Sequence, residues 1–211
     1  NTAPSSSTAH MRTTVRTHGI TGGTLSVSAA GGANNSLVVD GNIARGSGPD
    51  TAYYGALASV AFSAASGTNT ATFNGDISGT FDTRTSPSKS AGGSVAGLSA
   101  ALGSTSSNGS ATLNANGSIA ITGMTRSGSV ANVTGAALSA FGEVPVDFNL
   151  HGAVTATSIS DTVSRVVGVS VGQNNLSTVR LTADGAVTAT AIGAGSTATG
   201  INASGSSFAP S

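Results

Sequence analysis

Any chemistry in this chain has to come from a small set of side chains. The histidines are His10, His18 and His151, and only His151 sits inside a long alternating run, Val146-Asp-Phe-Asn-Leu-His151. At period two, Asp147, Asn149 and His151 share one face of a strand. An imidazole beside a carboxylate is the start of an acid–base pair or a metal site. A metal, however, needs several converging ligands, and no second histidine stands at ligand spacing, so this face reads as a solvated one. Glu143 is the only glutamate, four residues before Asp147. Glycoside hydrolysis needs two carboxylates across a cleft, whereas Glu143 falls in the turn-forming Gly142-Glu-Val-Pro145. Lys89, the only lysine, lies in Pro87-Ser-Lys-Ser90, without the glycine framework of a phosphate loop. Serine is abundant, but no Gly-x-Ser-x-Gly elbow sits at a strand-to-helix turn. The expectation is a non-enzymatic chain with no catalytic, cofactor-binding or metal-ligating residues.

Two threonine pairs point elsewhere. Thr155/Thr157 and Thr188/Thr190 each lie two residues apart, on one face of a strand. A flat threonine array on a regular sheet could order water, or pack against ice or a polysaccharide. Ordinary strand propensity also explains threonine at exposed strand positions. Tyr53-Tyr54 is the only aromatic pair with hydroxyls, and tryptophan is absent, so no broad stacking platform is available for sugars.

The elements that position these residues repeat along the chain. The copies are Leu37-Val-Val-Asp-Gly-Asn-Ile43, Phe73-Asn-Gly-Asp-Ile77, Leu113-Asn-Ala-Asn-Gly-Ser-Ile119, Phe148-Asn-Leu-His-Gly-Ala-Val154 and Leu181-Thr-Ala-Asp-Gly-Ala-Val187. Their glycines, Gly41, Gly75, Gly117, Gly152 and Gly185, are 34, 42, 35 and 33 residues apart. A period of this size means one supersecondary unit copied along the chain. Asn-Gly and Asp-Gly are also hairpin-turn marks. Placing a turn there would pair Phe73 with Asp76 and Asn114 with Ile119, setting apolar beside polar side chains. A continuous strand instead puts Phe73, Gly75, Ile77 and Phe81 on one face and Asn74, Asp76 and Thr80 on the other. The glycines are therefore expected as inward-facing strand positions, with the polar neighbours outward.

Each long strand has a shorter predecessor: Leu25-Ser-Val27, Val60-Ala-Phe62, Leu98 to Leu102, Leu138 to Phe141 and Val167 to Val171. Short Gly/Asn/Ser segments between them suit antiparallel neighbours. The expected fold is all-β. Five two-stranded repeats of about 35 residues, or about ten strands, form an antiparallel meander that closes as a barrel or packs as a sandwich, with a β-solenoid as the alternative. Residues 1–19 are expected as a flexible N-terminal tail, 20–205 as a single repetitive β domain, and 206–211 as a C-terminal tail.

Composition narrows the partners. Only 8% of the 211 residues are charged, and Lys plus Arg balance Asp plus Glu at eight each. Neutrality argues against nucleic acid, which calls for a basic face. Low charge favours association. No run of 18 apolar residues marks a transmembrane helix, and there is no cysteine for disulfides or thiolate ligands. The low-charge, small-residue strand repeats over residues 20 to about 205 resemble repetitive bacterial surface adhesins and extracellular fibre subunits, and Gly172-Gln-Asn-Asn175 is similar to the punctuation of curli-type fibre repeats. The resemblance implies an extracellular or cell-surface structural subunit that self-associates in a filament, matrix or adhesin. The alternative is a binding module for glycan, ice or a small ligand, on a Thr-rich face or in a barrel.

Overall fold

The computed structural model describes residues 13–21, 24–30, 34–46, 55–64, 67–84, 93–104, 109–125, 131–174 and 177–205. Among the described residues the chain forms sixteen strands and no helix. In order they are β1 (Thr13–Thr21), β2 (Leu25–Ala30), β3 (Asn35–Arg45), β4 (Gly55–Ala64), β5 (Gly67–Phe73), β6 (Ile77–Asp82), β7 (Gly93–Ser104) and β8 (Gly109–Ala115). There follow β9 (Ile119–Thr125), β10 (Ala131–Gly142), β11 (Val146–Leu150), β12 (Val154–Ser160), β13 (Ser164–Gln173), β14 (Val179–Ala183), β15 (Val187–Ile192) and β16 (Thr197–Gly205). β1 begins inside the stretch expected as a tail.

Every pairing between these strands is parallel. One sheet runs β14-β11-β8-β5-β3-β6-β9-β12-β15, with β1 alongside β3, and the other runs β16-β13-β10-β7-β4-β2. The chain thus leaves β4, passes through β5 and β6 in the other sheet, and returns as β7 beside β4. The result is a β-solenoid of about four turns, counted from the rung at Gly41 to the rung at Gly185. This overturns the antiparallel meander, barrel or sandwich, and with it the two-stranded hairpin unit. The solenoid alternative is the architecture the chain adopts. The strands on either side of each Gly/Asn/Ser segment lie in different sheets and do not pair with each other, so a strand's neighbour is the same strand of the next copy.

Repetition explains that choice physically. Stacking like on like gives each apolar residue an apolar neighbour in every coil. Leu37, Ala71, Leu113, Phe148 and Leu181 form one inward column, and Ile43, Ile77, Ile119, Val154 and Val187 a second. Val27, Val60, Ala100, Leu138 and Val171 line the opposite sheet. All but the last-coil residues Leu181 and Val187 are buried, in one continuous core. Burying a side chain such as Phe148 stabilises by about 1.5–3 kcal/mol. A column of two asparagines is among the polar groups that enter this interior. Asn35 Nδ2 donates to Asn69 Oδ1 at 2.7 Å, and Asn69 Nδ2 donates to the Gly103 carbonyl at 2.5 Å.

The expected long strands bend at the glycines. Gly41 lies within β3 at φ 109°, but Gly75, Gly117, Gly152 and Gly185 sit in corners between β5 and β6, β8 and β9, β11 and β12, and β14 and β15. The parity of the sequence survives the bend: Phe73 and Ile77 are buried, while Asn74 and Asp76 are exposed. The corner requires glycine because successive coils touch there. A β-carbon on Gly185 would stand 2.5 Å from the Gly152 carbonyl oxygen, and those on Gly75, Gly117 and Gly152 would collide in the same way with Gly41, Gly75 and Gly117.

Candidate functional site

The four threonines singled out by sequence come together. On β12 and β15, Thr155 stands opposite Thr188 and Thr157 opposite Thr190. Their parity is fixed by the inward set Val154, Ala156 and Ser158, all buried, which turns the threonines to the outer surface. The register adds two residues that sequence reasoning missed. Thr122 of β9 lies opposite Thr157, and Thr80 of β6 opposite Thr122. Thr80, Thr122, Thr157 and Thr190 therefore form an unbroken four-rung column. Ser78, Ala120, Thr155 and Thr188 form the column beside it. The missed residues share a signal: each threonine of the four-rung column follows its corner glycine by five positions.

Neighbouring strands lie about 4.8 Å apart, and alternate residues along a strand about 6.6 Å apart. The face is thus a two-dimensional grid of hydroxyl and methyl groups. Thr188 and Thr190 are exposed and the other four threonines half-buried. None of the six hydroxyls is bonded to another described residue. β-Branching holds each side chain to few χ1 states, so the grid is stiff. Neither column carries a charge. The next column along is Asp82, Met124, Ile159 and Ile192, and its one charged member is bound to its own strand end. Arg84 Nη2 lies 2.7 Å from Asp82 Oδ2 and Arg84 Nε donates to Asp82 Oδ1 at 3.0 Å. The Asp82 carboxyl is held below its usual range, chiefly by these side-chain hydrogen bonds and against the opposing effect of burial.

The residues weighed for acid–base or metal chemistry do not converge. His151 does not meet Asp147 or Asn149. Its Nδ1 lies 2.6 Å from Asp184 Oδ2 of the next coil, with both side chains about half exposed. Asp147 faces Arg180 at 4.0 Å, and Asn149 donates to Asn114 at 3.0 Å. Among the described residues no three acidic or imidazole side chains stand close enough to hold a metal. The polar corner residues instead tie coil to coil. Asn74 donates to Asp40 and Asn116 to Asn74, each at 2.8 Å. Beyond the glycine, Asn42 accepts from the Asp76 amide at 2.9 Å, and Asp76 from the Ser118 amide at 2.7 Å.

Glu143 is exposed in the turn before β11. Gly168-Val-Ser170-Val-Gly172 has the letters of a nucleophile elbow, yet it lies mid-strand in β13, where Ser170 pairs with Ala137 and Asn202 within the sheet. A shallow hollow on that sheet is lined by Ser26, Ser59, Ser99 and Ala137 among other small residues, with no titratable side chain. Tyr53, Tyr54, Lys89 and His10 lie outside the described residues. Among the described residues no helix is long and apolar enough to cross a membrane. No protein-family model matches the chain, and no curated protein or solved structure matches it either.

Proposed function

We propose that this chain is a non-enzymatic structural subunit of an extracellular or cell-surface assembly, a filament, matrix or adhesin that grows by coil-on-coil stacking. The observation that carries the reading is the edge formed by β14, β15 and β16. Val179, Leu181, Val187, Ala189 and Ala191 pack on the core there but are only partly covered, and Ile192 and Ile201 are 52% and 50% exposed. An unpaired strand edge that is apolar on its inner side, with Arg180 and Asp184 as its balancing charges, is a template for another strand. The proposed occupant is a second copy. Continuing the register columns places its Thr13 on Val179, its His18 on Asp184 and its Leu25 on Ile201. Sedimentation velocity over a range of concentrations tests the proposal. Association should grow with concentration and be lost on Ile192→Lys with Ile201→Lys, since edge lysines block strand addition. A monomer at every concentration would overturn it.

A second reading is favoured by the four-rung threonine column: the chain is a binding module whose outer face on β6, β9, β12 and β15 recognises glycan or ice. Surface retention lost on Thr157→Tyr, with association unchanged, would separate this reading from the first.

A further inference from the structure

We infer that the threonine face of β6, β9, β12 and β15 binds ice, a ligand that repeats in two dimensions as the face does. The inference rests on reading these threonines as a binding face and is independent of the assembly proposal. Glycan and small-molecule sites are concave and place a few polar groups around a stacking or apolar floor. This face is an unbroken run of in-register parallel strands, and its two threonine-bearing columns carry neither an aromatic ring nor a charge. It offers repetition instead. Thr80, Thr122, Thr157 and Thr190 recur at one strand spacing of about 4.8 Å, and Thr155 and Thr188 repeat the step in a column about 6.6 Å away. These steps are of the same order as the oxygen repeats on the faces of hexagonal ice.

A periodic array gains from all its rungs together only against a partner of matching period. Liquid water and a single sugar chain do not supply one in two directions. The chemistry of each rung also fits. A hydroxyl both donates and accepts one hydrogen bond into a water lattice, and the methyl beside it fills space without demanding solvation. A charged group would impose its own hydration on the lattice. Of the two carboxylates bordering the grid, Asp82 is turned to Arg84 and Asp76 accepts the Ser118 amide at the corner. Stiffness matters too, because a side chain that must be ordered on contact loses entropy. Here β-branched side chains stand on strands held on both sides, except in β15 at the edge.

The test uses the full chain, with Thr157→Tyr in the centre of the grid and Thr72→Tyr on the outer face of β5 as control. Ice recrystallisation and partition into a slowly grown ice hemisphere are the ice readouts. Binding to microcrystalline cellulose and chitin is measured in parallel, and circular dichroism checks folding. The inference expects the wild type to slow recrystallisation and enter ice. Thr157→Tyr should lose about tenfold in activity, the equivalent of one or two hydrogen bonds no longer made, while Thr72→Tyr keeps it. Wild-type behaviour no different from serum albumin overturns the inference, as does equal loss in both variants. If only cellulose or chitin binding is present and Thr157→Tyr abolishes it, the binding-face reading survives and ice is the wrong ligand. If nothing measured depends on Thr157, both fail.

Discussion

Replacing Gly117 by alanine should be far more damaging than its single added carbon suggests. A β-carbon there would stand 2.7 Å from the Asp76 amide nitrogen and closer still to the Gly75 carbonyl. Carbon atoms rest at about 3.5–4.0 Å from non-bonded neighbours, so the two coils must part by about an ångström at this rung. Four hydrogen bonds cross it. Asn116 N donates to the Phe73 carbonyl and Ile77 N to the Ser118 carbonyl, each at 2.8 Å. Ser118 N donates to Asp76 Oδ1 at 2.7 Å, and Asn116 Nδ2 to Asn74 Oδ1 at 2.8 Å. At about 0.5–1.5 kcal/mol each, weakening all four costs about 3–4 kcal/mol, near the upper end for one substitution. Asn116→Ala removes only the exposed side-chain bond and should cost about 1 kcal/mol or less. Urea unfolding followed by circular dichroism gives both values. A Gly117→Ala cost under about 1 kcal/mol, or a larger cost for Asn116→Ala, would refute a corner built by backbone contact between coils.

Two further substitutions probe the interior and the rim. Asn69→Ala removes the bond from Asn35 Nδ2, which keeps its longer bond to the Ser63 carbonyl at 3.3 Å, and the bond to the Gly103 carbonyl; it should destabilise by about 1–3 kcal/mol in the same urea assay, and a neutral result would mean the column is not buried. Asp82 has a folded pKa below its ordinary 3.8, so its contribution is present above the unfolded value and is lost as pH falls through the folded one. Asp82→Asn should therefore remove that contribution at neutral pH and flatten the acid limb of the stability profile below about pH 4, where variant and wild type converge; an unchanged acid limb would show that the Arg84 pair is not formed in solution.

The sequence makes the faces legible but not the neighbours. Alternation around Phe73 and Ile77, or Phe148 and Val154, shows which side chains turn inward, and that parity persists through the bends. It does not show strand direction, because an apolar face is satisfied equally by an antiparallel hairpin or by a parallel copy. The deciding information lies 33–42 residues away, in Asn74 over Asp40 and in glycine over glycine. For the same reason His151 looks like a partner for Asp147 along its own strand, while its contact is Asp184 in the next coil. Thr80 and Thr122 escape notice singly, because each stands beside Gly79 or Ile121 and not in a Thr-x-Thr pair. Once the corner glycines are aligned, all four column threonines fall at one offset.

In-register parallel stacking underlies both the assembly edge and the threonine grid, and one distance tests it directly. Val38, Thr72, Asn114, Asn149 and Thr182 occupy a single outward column, and the chain contains no cysteine of its own. Spin labels on Val38→Cys and Thr182→Cys should therefore give a narrow distribution by pulsed electron–electron double resonance, centred near the about 19 Å that four strand spacings require. A broad distribution, or one centred beyond about 30 Å, would contradict the solenoid and everything built on it.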